Sequence, residues 1–134
     1  MKILLAAILL LVTPTMSSPD FIAEEDFYSI IKSRSAFGDD EDKIVIVEFW
    51  VQFNNANSFQ DWNMLSNLNN YYLVDVSKSP AIKKDYSVRI APTILILKNG
   101  IEIKRYSASL DMTCPVDYDE LQQELNNIST ASSF

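Results

Sequence analysis

Histidine is absent from the 134-residue chain. That removes the Ser-His and Cys-His catalytic pairs, His-ligated zinc and histidine-based pH switching. Cysteine is nearly absent, since Cys114 stands alone. No internal disulfide can form, and the thiol must be free, capped or paired with another molecule. Positive charge is also scarce: Lys and Arg total 11 against 18 Asp and Glu, for a net charge of −7. Phosphate binding needs clustered basic residues, so this balance argues against nucleic acid and against an anionic membrane surface. No metal or cofactor motif stands out. The acidic run Asp39-Asp40-Glu41-Asp42 reads as a solvated loop rather than a calcium site. No internal repeat is visible, and the length suits one domain with one core.

What is present begins with MKILLAAILLLVTPTMSS, which reads as a secretory leader. Lys2 supplies its positive end, and an apolar stretch over 3–12 is followed by small and polar residues. That stretch is shorter than the roughly 20 residues of a membrane span. Cleavage is expected near Ser17 or Ser18, with an uncleaved N-terminal anchor as the rival reading. Cleavage would remove Lys2 and no acid, adding one to the negative charge. The expected division is a signal peptide over 1–18, a domain over 19–130 and a flexible tail over 131–134, with export as the destination. After signal cleavage, no membrane partner is expected.

The patterning predicts a short edge strand over 21–23 and a helix over 24–33, in which Phe27, Ile30 and Ile31 share a face. Residues 43–53 read as a strand apolar on both sides, typical of a buried central position. Asn54 or Asn55 can cap a following helix, carrying Phe59, Trp62, Met64, Leu65 and Leu68 and ending near Leu68. Strand 71–76 and a helix opened by Ser79-Pro80 come next. Strands 93–97 and 101–106 flank Asn99-Gly100, a strong hairpin signal. A last helix runs over 116–128, with Asp117 and Glu120 placed as a capping box. The tail from Ser129 on is expected to fray. The order (β)αβαβαββα implies an α/β domain: a central mixed sheet of four to five strands flanked by helices on both faces.

That order, with the residues at its joints, resembles the thioredoxin-like superfamily across about 21–128. Val47-Glu48-Phe49-Trp50 resembles the strand before that family's active site, and Val74-Asp75-Val76 its following strand. Tyr86-Ser87-Val88-Arg89-Ile90-Ala91-Pro92-Thr93 resembles the segment carrying its cis-proline, and Lys98-Asn99-Gly100 its hairpin turn. The resemblance places Phe53 at the family's Trp. Asn54 and Asn57 then stand at the attacking and resolving cysteines, with Asn55-Ala56 between them. Thiol–disulfide exchange at that corner needs two sulfurs, and neither is there. The helix after the motif is also shorter than in typical members.

The resemblance further implies a cis Ala91-Pro92 bond, whose preceding backbone can pair with an extended peptide. Candidate binding residues are therefore Phe53, Asn54, Asn57, Ala91 and Pro92. Glu48 corresponds to the family's buried acid, here expected to be protonated or bonded to an amide such as that of Asn57; Leu73 replaces the family's nearby lysine. Cys114 lies in the connection 108–115, where flanking Asp111 and Asp117 are expected to raise its pKa. Asn127-Ile128-Ser129 is a glycosylation sequon on the last helix. The leading expectation is an exported, redox-inactive module, either binding another protein or peptide or structural, with no cofactor. The alternatives are an oxidoreductase-type enzyme acting through Cys114, including a mixed disulfide with a partner, and a subunit of a larger assembly.

Overall fold

The computed structural model describes residues 19–32 and 42–131. The expected leader, most of the acidic run (39–41) and the last three residues lie outside the described residues.

Strand β2 (Ile44–Trp50) is the axis of the molecule. Its alternating residues are buried on both sides, as the apolar run from Ile44 to Val47 requires. It pairs in parallel with β3 (Asn70–Asp75) and antiparallel with β4 (Thr93–Lys98). The two-residue β1 (Asp20–Phe21) adds in parallel to β3, and β5 (Ile101–Ser107) closes the other edge antiparallel to β4. The result is a five-stranded mixed sheet in the order β1-β3-β2-β4-β5.

Two apolar layers cover the sheet. On one face Val45, Val47, Phe49, Leu95 and Leu97 meet Phe27 and Ile31 of α1 (Phe27–Lys32) and Ile82 of α2 (Pro80–Asp85). On the other, Ile44, Ile46, Ile94 and Ile96 meet Leu121, Leu125 and Ile128 of α3 (Tyr118–Ala131), together with Phe59. The i, i+4 and i+7 spacing of the α3 residues forms the stripe that faces the sheet.

Several boundaries differ from expectation. A 3-10 turn (Glu24–Asp26) precedes α1, where three adjacent acids open the segment. β2 stops at Trp50, because the chain turns away at Gln52. Helix α3 starts at Tyr118, capped by Asp117, whose carboxylate accepts the Glu120 N–H at 2.8 Å. It runs through Ala131 rather than fraying from Ser129. Within it, Asn127 of the sequon is exposed and Ile128 is buried.

Two asparagines fix the entry to β2 from either side. Asn69 Oδ1 accepts the Ile44 N–H at 2.8 Å, and Asn99 Oδ1 accepts the Lys43 N–H at 2.8 Å. Asn99 also opens the β4–β5 turn, where it and Gly100 have φ of 53° and 81°, the left-handed pair that a tight hairpin needs. Replacing Asn99 with Ala removes a side-chain acceptor and leaves a non-glycine residue at positive φ. Asn99→Ala should lower stability by about 1–3 kcal/mol, read as a reduced urea midpoint at unchanged m-value. A change below a few tenths would show that this junction bears no load.

Candidate functional site

The corner where β2 ends is built by a buried acid and an amide. Glu48 is 0% exposed, on the β2 face shared with Ile46 and opposite Leu73 of β3. A carboxylate in such a place must be bonded or neutral. Three groups donate to it: Ser58 Oγ at 2.6 Å, the Phe59 N–H at 3.2 Å and Tyr71 Oη at 2.6 Å. Asn57, the partner expected from sequence, is not among them. Burial nevertheless pushes Glu48 above the ordinary carboxylate range, although the three donors pull the other way. Burial first, and then the Glu48 charge, raise Tyr71 well above 10, so it remains a hydroxyl donor.

These bonds also explain why the segment after β2 departs from the helix expected there. The expected helix ending near Leu68 does not form. Residues Gln52–Asn57 make 3-10 turns, and a further one spans Trp62–Met64. Ser58 is extended (φ −64°, ψ 150°), and the Phe59 N–H that a helix would direct at a backbone carbonyl goes to Glu48 instead. The asparagine-rich sequence adds side chains that compete with helical backbone bonds.

Asn54 is likewise no cap. The residue before the turn is Val51, and no side-chain cap bond forms. Asn54 instead uses its whole amide across the corner. Its Nδ2 donates to the Ala91 carbonyl at 3.2 Å and to the Met112 carbonyl at 2.9 Å. Its Oδ1 accepts from Asn57 Nδ2 at 2.7 Å. Asn55 Oδ1 accepts the Trp50 indole N–H at 2.8 Å. The structure thus gathers Asn54, Asn57, Ala91 and Pro92, with the Ala91–Pro92 peptide bond cis. The 108–115 connection is drawn in as well: the Ala108 N–H donates to the Pro92 carbonyl at 3.1 Å, and the Asp111 carboxylate gathers donors from Ser109 and Thr113.

Beside this corner lies a groove of about 330 Å³, lined among others by Val51, Phe53, Ala91, Leu110 and Met112. Phe53 is 79% exposed and Leu110 is 91% exposed. Lys83 and Arg89 also line it, and among the described residues no acid does. Phe53 and Ala91 were legible in the sequence; Leu110 and the two cations were not, because only the fold brings α2 and the 108–115 connection alongside. Ala56 is exposed beside the corner.

Cys114 sits half-buried against the α3-side core, its thiol donating to the Val116 carbonyl at 3.3 Å. Its pKa is raised, chiefly by burial and further by the Glu48 charge. Asp111 and Asp117, expected to do this, do not. Asp111 is turned to Ser109 and Thr113, and Asp117 to the start of α3. Among the described residues, no group of three or more His, Cys, Asp or Glu could hold a metal ion, and no helix is long and apolar enough to cross a membrane.

No protein-family model matches the chain, and no curated protein matches it in sequence. Solved structures do match. A designed protein is 20% identical with a TM-score of 0.63, covering 84% of this chain and 98% of its own. A mutant thioredoxin from Halobacterium salinarum is 14% identical with a TM-score of 0.58, covering 84% and 91%. Thioredoxin f2 from Chlamydomonas reinhardtii is 11% identical with a TM-score of 0.58, covering 83% and 96%. At these identities the likeness establishes the fold: this chain has a thioredoxin-like fold.

Because its folded pKa is raised, Glu48 holds its proton more tightly in the native state than in the unfolded chain. Its stabilising contribution is complete below the ordinary value of 4.5 and is lost as pH rises through the folded pKa. Glu48→Gln, which cannot ionise, lacks this dependence. Chemical denaturation should therefore show the native chain losing ground to Glu48→Gln as pH rises from about 4 to 8. A stability difference independent of pH would show that Glu48 has an ordinary pKa.

Proposed function

We propose that this chain is an exported thioredoxin-domain protein without dithiol chemistry, which binds an apolar, acid-bearing peptide segment of a partner protein. The observation that carries this reading is the groove between Phe53 and Leu110. Two large apolar side chains stand in solvent on its rim, where scattered exposure is ordinary but convergence on a concave surface suits a ligand. The chain is acidic overall, yet the charged groups lining this groove are Lys83 and Arg89. Neither joins an ion pair among the described residues. An acidic residue on the incoming peptide would complement them.

The absence of dithiol exchange rests on composition, since one cysteine cannot cycle between an internal dithiol and a disulfide. On the proposed alignment, Asn54 and Asn57 occupy the places of the two thiols. The groove differs from a bare strand-pairing edge, because the Ala91 carbonyl already accepts from Asn54. Side chains around the groove would then carry more of the recognition than backbone pairing. Export is supported by the leader-like run at the start of the sequence. Chemistry through Cys114 finds little support in a half-buried thiol of raised pKa. A role as a subunit of a larger assembly is the second reading, favoured by Ile101 and Ile103 standing exposed on the edge strand β5.

Selection from a random peptide display library separates these readings. The native chain should enrich peptides with an apolar core next to Asp or Glu. Phe53→Asp with Leu110→Asp, both at exposed positions, should weaken the selected peptides by about tenfold or more. Failure to enrich any such peptide, or unchanged affinity in the double variant, would refute the groove's role. The assembly reading expects no peptide affinity at all.

A further inference from the structure

Outside the peptide groove, the chain leaving β2 builds a second concavity of about 530 Å³, within the roughly 300–1,000 Å³ of small-molecule sites. The two share no lining residue. Val51 and Phe53 serve the peptide groove, while Trp50, Gln52 and Asn55 serve this cleft. The cleft's position is set by the packing of Phe21 of β1 edge-on to Trp50, with ring centroids 5.0 Å apart. Trp62 contributes from the turn beyond Ser58, held by its contact with Tyr71 at 6.4 Å.

The lining has an unusual chemistry for this protein. The chain carries 18 acids and 11 bases, yet among the described residues no charged one lines the cleft. Charge is not scarce nearby. The adjoining concavity, which shares Phe21, Trp50 and Gln52 with this one, also takes Glu24, Glu25, Asp75 and Lys78. What lines the neutral cleft is aromatic rings and carboxamides: Phe21, Trp50 and Trp62 with Gln52, Asn55 and Asn63.

The carboxamides are available. The side chains of Gln52 and Asn63 make no hydrogen bond among the described residues. Asn55 accepts the Trp50 indole N–H through Oδ1, which orients the amide and leaves its Nδ2 donors unused. A carboxamide both donates and accepts, as a sugar hydroxyl does. An aromatic face is electron-rich, and the axial C–H bonds of a pyranose ring present a weakly positive, flat surface to it. A neutral cleft also imposes no desolvation penalty of an unpaired charge on a neutral ligand.

We propose that this cleft is a binding site for a neutral oligosaccharide, with Trp50 and Trp62 as stacking surfaces and Gln52, Asn55 and Asn63 as hydroxyl partners. The site is independent of the peptide groove and of any reading of Asn54. A proline-rich peptide also favours aromatic-lined grooves. It offers carbonyl acceptors but few donors, so it would leave the carboxamide oxygens of Gln52 and Asn63 unmatched.

The test is titration of the full chain with cellohexaose, chitohexaose and maltohexaose, followed by tryptophan fluorescence and calorimetry. At least one should bind and perturb tryptophan emission, with little change in affinity up to about 0.5 M NaCl, because no charge pair is involved. Gln52→Ala with Asn63→Ala alters two exposed side chains that make no internal bonds, so the fold should be retained. It should weaken binding by about tenfold. Trp62→Ala should likewise weaken binding, with Trp50 left as the fluorescent reporter and circular dichroism reporting whether the fold persists. Absence of binding by all three sugars at about 10 mM, unchanged affinity in the double carboxamide variant, or binding of a polyproline peptide in place of sugars would each overturn the proposal.

Discussion

The carboxylate of Glu48 sets the path of the chain that leaves β2. It sits in the central strand with no access to water, so its position can exist only where donors converge on it. Tyr71 reaches it from β3, while Ser58 and Phe59 reach it from the chain that has just left β2. To deliver those last two donors, the backbone must come out of its 3-10 turn at Asn57 and extend at Ser58. The same excursion carries Phe59 into the core layer under α3 and brings Trp62 against Tyr71. One buried acid thus decides where a helix does not form, and where the aromatic side chains beyond it are placed.

Asn54 performs the complementary task on the outside of the corner. Its amide has two N–H groups and one oxygen, and all are used, toward Ala91, Met112 and Asn57. A thiol could not bridge two carbonyls in this way, because it has a single weak donor. On the proposed alignment, a position that serves sulfur chemistry in thioredoxins has become a structural tie between three segments. That tie holds the 108–115 connection beside Pro92, with Leu110 in the groove that Phe53 also lines. In the function proposed above, the binding surface and the loss of dithiol chemistry have one physical origin.

Much of the sheet was legible because its signals are local and redundant. The both-sided apolar run of β2, the Asn99-Gly100 turn and the apolar stripe of α3 each specify one structure by period or by backbone demand. The segment 54–68 misled for a definite reason. Its apolar residues fall at spacings a helix would accept, but its fate is decided by a bond from Phe59 to an acid eleven positions earlier. Periodicity carries no information about such a bond. The polar partners were hidden in the same way. Asn57 was a reasonable partner for Glu48 by proximity in sequence, whereas Tyr71 becomes its neighbour only through the β2–β3 register. The surroundings of Cys114 are also a product of packing, since the nearest sequence acids face other donors and the influential one is Glu48.

In the proposed function, this corner holds a structure together and presents a surface without exchanging disulfides. Reduction of insulin by dithiothreitol, followed by turbidity with and without the full chain, tests it most directly. The account predicts the same onset and rate of precipitation in both cases. Acceleration by the native chain would contradict it, and the same assay on Cys114→Ser would show whether the lone thiol is responsible.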